Sequence, residues 1–471
     1  MRLTFFVFLS GYFLLLFIIS LIFSRKMKGL EDFFLASRKL PWTLVFLSLA
    51  ASWFGAASLL VTVDQGFIHG IRAFWIMGIP AFVTVIVFYV FLILPIRRLH
   101  FISLPDLIEQ RYGRGVRHLA AILIIWYMVV LAASQMVAVG NFFKGFLGTS
   151  YLAGLVCGTA VVLIYSVLGG FFSVAVTDGL QFVLLALGVI SLAFVLWNPE
   201  TMQETIRLTV EQGNGDYLNF FSNLKTDTLT AVSFIMAWTI SPIAWQRIQA
   251  ARSDQAARRG LAVSAGAFFV LYGLLVLVGM LSLPFFYGKE IEGPVFSELI
   301  RSRTGMFLGG LLFTAVTAAV MSTMDSAINT GALSLARDVY QRILVHESTR
   351  YAVAAGRVST VLVGGAALLI ATQLRDILKT LGLASEIMAE GLFIPGVAML
   401  FLKRKCPLAG WLSLVFGGGF SLAGFLSEMG LFSVPWPPWP ESLPYGVALC
   451  AVGFAAGWLW EHLRSRFSDQ S

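Results

Sequence analysis

The sequence predicts an all-α membrane protein of about thirteen transmembrane helices, and three observations point there. Of its 471 residues, 58% are hydrophobic and only 12% charged, against about 25% in a soluble domain. The mean hydropathy is +0.84. Apolar runs of roughly 17 to 25 residues, long enough to cross a bilayer, recur along nearly the whole chain with short polar stretches between them. No soluble fold hides that much apolar surface, so residues 1–471 read as a single membrane-embedded domain in contact with lipid.

The first run, 5–23, follows Arg2 as a signal peptide would. It leads into Ser24-Arg25-Lys26-Met27-Lys28 without a small-residue cleavage site, so it is read as a retained leading helix. Further runs occupy 42–63, 73–95, 119–143, 151–168 and 173–197, then 229–245, 261–287, 304–335, 358–372 and 381–402. Two trailing runs, 408–426 and 443–460, complete the set. Thirteen spans place the termini on opposite sides. With the amino terminus outside and the carboxy terminus cytoplasmic, the inner segments hold 23 of the 33 basic residues, as the positive-inside rule requires. The outer segment 198–228 agrees, carrying five acids against Arg207 and Lys225.

The formal charge of +8 is therefore a topology signal, and nucleic acid is not expected as a partner. Cys157, Cys406 and Cys450 lie in or beside apolar segments without metal-ligand spacing and read as packing residues. The five histidines, at 69, 100, 118, 346 and 462, sit at span ends or in loops and form no catalytic set, so an enzyme is not expected.

Setting the leading run aside, 42–197 and 229–402 each hold five spans of similar length that enter the membrane from opposite faces. That is the plan of an inverted repeat, with sites at the interface of the halves. The first helix of each half carries a break point: Gly55 within Ala50 to Ser58, and Pro242 after Ser241. Paired breaks free backbone carbonyls for a cation and helix ends for a substrate. Tight packing through small residues and a simple proline kink are the plainer alternative.

The sharpest chemical signal lies inside the 304–335 run. Ser322, Asp325, Ser326 and Asn329 fall at i, i+3, i+4 and i+7, on one helical face. A carboxylate and hydroxyls at hydrocarbon depth are costly unless they line a cavity or bind something, and such oxygens suit a hard cation like sodium. Hydroxyls bonded back to their own helix, with Asp325 paired to a distant Lys or Arg, are the alternative. Asp178 is a second acid within an apolar run, near its inner end, where an interfacial position is also open to it.

At these segments the chain resembles the sodium:solute symporter family, which includes proline, sugar, sialic-acid, pantothenate and choline transporters. The resemblance is carried by Asp32-Phe33-Phe34-Leu35-Ala36-Ser37-Arg38, the Tyr165 to Gln181 pattern, Gln246-Arg247, and Met321-Ser322-Thr323 followed by Arg337-Asp338-Val339-Tyr340. It implies a leucine-transporter-type fold of ten core helices in a 5+5 inverted repeat, with one extra amino-terminal and two extra carboxy-terminal helices. It also implies sodium as the coupling ion, held by carbonyls of Ala50, Trp53 and Ala319 and hydroxyls of Ser322 and Thr323. A second sodium would use Asp178, Ser322, Asp325 and Ser326, where Asp325 stands in place of the serine of some relatives.

The resemblance places a small organic solute beside Ser52, Phe54 and Ala57 on the first core helix and Trp238 and Ser241 on the sixth. Glu386 and Glu390, at i and i+4 of the tenth, share a face and either pair with a substrate amine or act as solvated gate residues. Ala57 lacks the polar side chain typical of sugar carriers. Ser52-Trp53-Phe54-Gly55 and Asp325 are similar to the choline branch, although Ser241 stands where that branch has a cage tryptophan. The expected function is sodium-coupled symport of an amino acid or amine by a monomer. A proton-coupled carrier and a transporter-like sensor are the alternatives, and Ser322 with Thr323 argues against the first.

Overall fold

The computed structural model describes every residue except 1, 25–37, 100, 102, 169–170, 212, 292, 345–351, 403, 432–434 and 469–471. Most of the motif beginning at Asp32, the Gly169-Gly170 pair, His100 and His346 therefore lie outside the described residues. Among those described there is no β-strand beyond an isolated bridge between Leu40 and Ala251. The predicted apolar runs fall on helical elements, that at 73–95 on the succession Gly70–Trp75, Gly78–Val87, Phe88–Leu92 and Ile93–Arg98. Among the described residues, nine helical stretches are long and apolar enough to cross a membrane, or ten if Leu224–Thr239 and Pro242–Ala250, bent by 44°, form one span. Large apolar side chains such as Phe194 (82% exposed), Phe307 and Leu369 line the outside, as lipid contact requires.

Both predicted break points are breaks. The first helix runs Trp42–Trp53, stops at Phe54 and Gly55, and resumes as Ala56–His69. Gly55 has an ordinary φ of −71°, so the residue is required for space: a Cβ there would sit 2.4 Å from Thr323 Oγ1 and 2.7 Å from Gln135 Oε1. The second helix stops at Thr239 and restarts at Pro242, where the missing N–H of proline costs no hydrogen bond in a first turn.

Helix Met306–Leu333 crosses the first broken helix and packs on Arg114–Leu147 and Phe171–Leu196. Arg114–Leu147 is the central element, with 83% of its apolar window buried. The two trailing helices, Pro407–Glu428 and Leu443–Ser468, form a hairpin against the π-helical segment Ile387–Leu392, and the last is only 28% buried. At the basic end of the bundle the short helix Leu104–Tyr112, absent from the sequence reading, helps fix a buried network. There Arg117 meets Asp338 at 2.7 Å and Asp106 at 3.0 Å, and Ser103 Oγ donates to Asp338 at 2.8 Å. Arg117 and Arg247 sit at the end where loop charge was expected, yet they are only 2% and 1% exposed. Acid partners draw both inward.

Candidate functional site

The site forms where the turn of the first broken helix meets Met306–Leu333. Ser322 Oγ donates to Ala51 O at 3.0 Å and to Ala319 O at 2.9 Å, while Thr323 Oγ1 approaches Ala51 O at 3.4 Å. The carbonyl of Ala50 accepts the Phe54 N–H at 2.8 Å. That of Trp53 lies 3.4 Å from Ser58 Oγ and 3.5 Å from the Tyr272 hydroxyl. The predicted hydroxyls and the Ala319 carbonyl are thus brought against the helix break, with Ala51 as an additional oxygen. Gln135, unremarked in the sequence, accepts the Ala57 N–H that the break leaves over, at 3.2 Å. A lone glutamine in an apolar run was its only signal.

Arg247 dominates the second cluster. It is buried, and its guanidinium donates to Ser52 Oγ (2.6 Å), Ser326 Oγ (2.8 Å), Ser48 Oγ (3.1 Å), Ile243 O (3.2 Å) and Asp178 Oδ2 (3.3 Å). Ser48 Oγ also donates to Asp178 Oδ2 at 2.7 Å. Asp178 is therefore a fully buried member of an ion pair. Asp325 is equally buried and within electrostatic reach of the same guanidinium. Asp178, Ser326 and Asp325 do converge as the sequence reading required, but around a tethered cation that it treated as a loop charge. Placing three charges in hydrocarbon is tolerable because each has an opposite charge or several hydrogen bonds at hand.

The predicted substrate residues separate into three groups. Phe54, Trp238 and the ring of Trp53 belong to one aromatic cluster: Trp53 lies 5.6 Å from Trp238 and 5.9 Å from Phe268, and Phe54 lies 4.4 Å from Tyr272. Phe88, Phe234, Phe268 and Tyr272 complete it and were not anticipated. Ala57 and Ser241 are buried beside it, with the Ser241 N–H on Trp238 O. Ser52 is engaged in the Arg247 cluster. Glu386 and Glu390 form the third group: both are buried, at 4% and 0% exposure, and they face the trailing hairpin, so they are not solvated gate residues.

A helical membrane bundle in which two broken helices meet a polar helix face has the architecture of a secondary transporter. The family model described as "Sodium:solute symporter family" matches residues 33–412, and the chain belongs to that family, whose members are membrane transporters. It is 24% identical over 410 residues to the sodium/glucose cotransporter of Vibrio parahaemolyticus, covering 80% of this chain and 75% of that one. It is 26% identical over 418 residues to the sodium/proline symporter of Escherichia coli (strain K12), covering 82% and 79%. Its fold is shared with a Na+-coupled sialic acid symporter solved in a substrate-bound outward-open state, at a TM-score of 0.83 with 17% identity and 97% of each chain covered.

Proposed function

We propose that this protein is a sodium-coupled symporter that carries an amino acid or amine across the cell membrane by alternating access. The observation that carries the reading is the meeting of Ser322, Thr323 and the Ala319 carbonyl with the broken turn from Ala50 to Gly55. Sodium bound among Ala50, Trp53, Ala319, Ser322 and Thr323, with Ala51 alongside, ties the broken helix to the opposite half. Sodium and solute then raise each other's affinity, and the gradient gives direction. A potential of 100 mV adds about 2.3 kcal/mol per charge moved inward.

One sodium per cycle is the stoichiometry we favour. Arg247 already supplies a cation to Asp178, Ser52 and Ser326, the position a second sodium would take with Ser322 and Asp325. Two carboxylates against one guanidinium leave a net negative charge beside Ser322, which favours the single cation. The solute sits among Phe54, Ala57, Trp238 and Ser241, where ring faces suit a positively charged nitrogen. Ser52 serves the Arg247 network, and Glu386 and Glu390 lie outside the solute site.

The layout we infer is one transport domain within 1–471: a leading helix at 5–23, inverted repeats at 42–197 and 229–402, and trailing helices at 408–460. We infer thirteen spans, with the charge of the loops favouring an amino terminus outside and a carboxy terminus in the cytoplasm. Both sites form within one chain, so it works as a monomer.

Uptake into proteoliposomes tests the reading, using a panel of amino acids, amines, sugars and organic acids with sodium replaced by potassium or choline. Uptake of one class only with sodium is expected, and Ser322→Ala with Thr323→Ala raises the sodium requirement at least about tenfold, the loss of one to two oxygen contacts. Uptake that ignores sodium and follows a proton gradient would reject sodium coupling. Binding without uptake would point to a sensor.

A further inference from the structure

Glu390 is the strangest residue in the bundle. It is fully buried, neither carboxyl oxygen has a hydrogen-bond partner, and no basic group among the described residues pairs with it. Its carboxyl group fills a notch in the last helix: a Cβ on Gly446 would lie 2.3 Å from Glu390 Cδ and 2.5 Å from Oε2. Across the segment, a Cβ on Gly417 would strike the Glu390 carbonyl oxygen at 2.0 Å, so both trailing helices are shaped to this residue. One turn earlier, Glu386 is also buried and accepts a hydrogen bond from Ser442 Oγ. Glu390 lies within Ile387–Leu392, the segment that follows Glu386, which is π-helical, a local widening common at functional positions.

An ionised carboxylate in such a place would cost far more than the fold can absorb, and a second one a turn away would repel it. A neutral carboxylic acid costs far less than the ion, about the few kcal/mol of a buried polar group without a partner. We propose that Glu390, together with Glu386, forms a proton-binding site that holds the Ile387–Leu392 segment against the hairpin of Pro407–Glu428 and Leu443–Ser468. The site faces away from the sodium and solute residues, so the inference does not rest on the reading of the cargo. Loss of the proton puts a charge into the seam between the transport core and the hairpin and loosens it.

The charged and titratable groups around the pair are few. Glu428, on the first trailing helix, lies within electrostatic reach of Glu386 and is itself held by Lys379 at 2.5 Å. Cys450, on the last helix, neighbours Glu390, and its Sγ lies 3.6 Å from Ser413 Oγ and 3.8 Å from Gly391 O. Leu123 is the neighbour from Arg114–Leu147, against Gly391. On Leu224–Thr239 the acid Asp227 is paired with Arg72. Phe393–Phe401 contributes no charged side chain.

The sign of the effect follows. A proton that holds the seam stabilises the folded state, so its loss as pH rises lowers stability. The full-length protein in lipid nanodiscs is to be unfolded thermally across neutral to alkaline pH, with infrared difference spectra recorded over the same range. Wild type should lose about 3–6 °C of Tm and the carbonyl stretch of a neutral carboxylic acid. Glu390→Gln, which mimics the protonated form, should match wild type at neutral pH, lose the Glu390 share of the band change and show a clearly shallower Tm slope. Glu386→Gln should keep the carboxylic-acid band and show a shallower Tm slope, which preserves the test if Glu390→Gln does not fold. A wild type without the band, or a Glu390→Gln variant with the wild-type Tm slope, overturns the proposal. So does a slope that disappears when sodium is added across the same pH range, which would make the pair a metal-cation site.

Discussion

Two pairs of buried acids lie in this bundle, and the protein treats them in opposite ways. Asp178 and Asp325 sit at the crossing of the broken helix and Met306–Leu333, where Ser48 donates to Asp178 and one guanidinium, itself bonded to Ser52 and Ser326, pairs with Asp178 and lies within electrostatic reach of Asp325. Glu386 and Glu390 sit at the seam with the trailing hairpin, where Ser442 serves the first and neither oxygen of the second has a hydrogen-bond partner. The first pair is compensated by a fixed charge and the second, on our reading, by protons. A fixed charge keeps a region polar at every pH, which suits a place where an ion must come and go. Protonation makes a region apolar, which suits a seam between packed helices.

The strongest way to break this comparison is to remove the fixed charge. Arg247→Leu leaves Asp178 with the Ser48 hydroxyl but without its counter-charge, and breaking a buried pair from one side costs about 3–5 kcal/mol. Tm and the yield of monodisperse protein should fall sharply, and Asp178→Asn in the same chain should recover part of the loss. If Arg247→Leu matches wild type, the guanidinium is not what compensates the acids. Gly446→Ala tests the other pair. Its methyl group would occupy the notch that holds the Glu390 carboxyl, an overpacking worth about 1–3 kcal/mol. The loss should shrink in a Glu390→Ala background; equal losses in both backgrounds would show that the notch does not accommodate the acid.

The difference between the two pairs also explains what was legible in the sequence. The apolar runs could be read because the bilayer imposes their length, and the breaks at Gly55 and Pro242 because local chemistry imposes them. Ser322, Thr323 and Asp325 stood out as polar residues in an apolar run. Arg247 carried part of the family resemblance but gave no sign of its partners: it lies five residues after Pro242, in a stretch shared with Arg252, Arg258 and Arg259, and its charge reads there as a loop charge. Only the fold turns its side chain inward to Asp178, a residue 69 positions away. Glu386 and Glu390 were conspicuous for the opposite reason, yet their shared face gave no direction. The notch at Gly446 and the Ser442 hydroxyl, both on the far side of the chain's last loop, decide that they face the hairpin. Gln135 belongs with Arg247, since its role depends on an N–H that exists only because another helix is broken.

The smallest expected effect sharpens the comparison within the second pair. Ser442 donates to Glu386 at the start of the last helix, and Glu390 has no such donor. If both acids are neutral, Ser442→Ala removes one ordinary hydrogen bond and costs about 1 kcal/mol, a shift of a degree or two in Tm, with the same cost at every pH near neutral. If Glu386 is ionised, the hydroxyl stabilises a charge, and its removal should cost about 1.5–3 kcal/mol and cost more as pH rises. Measuring Tm of Ser442→Ala against wild type at three pH values separates these cases. A pH-independent loss supports a proton on each glutamate; a loss that grows with pH would leave Glu390 as the only neutral acid in the seam.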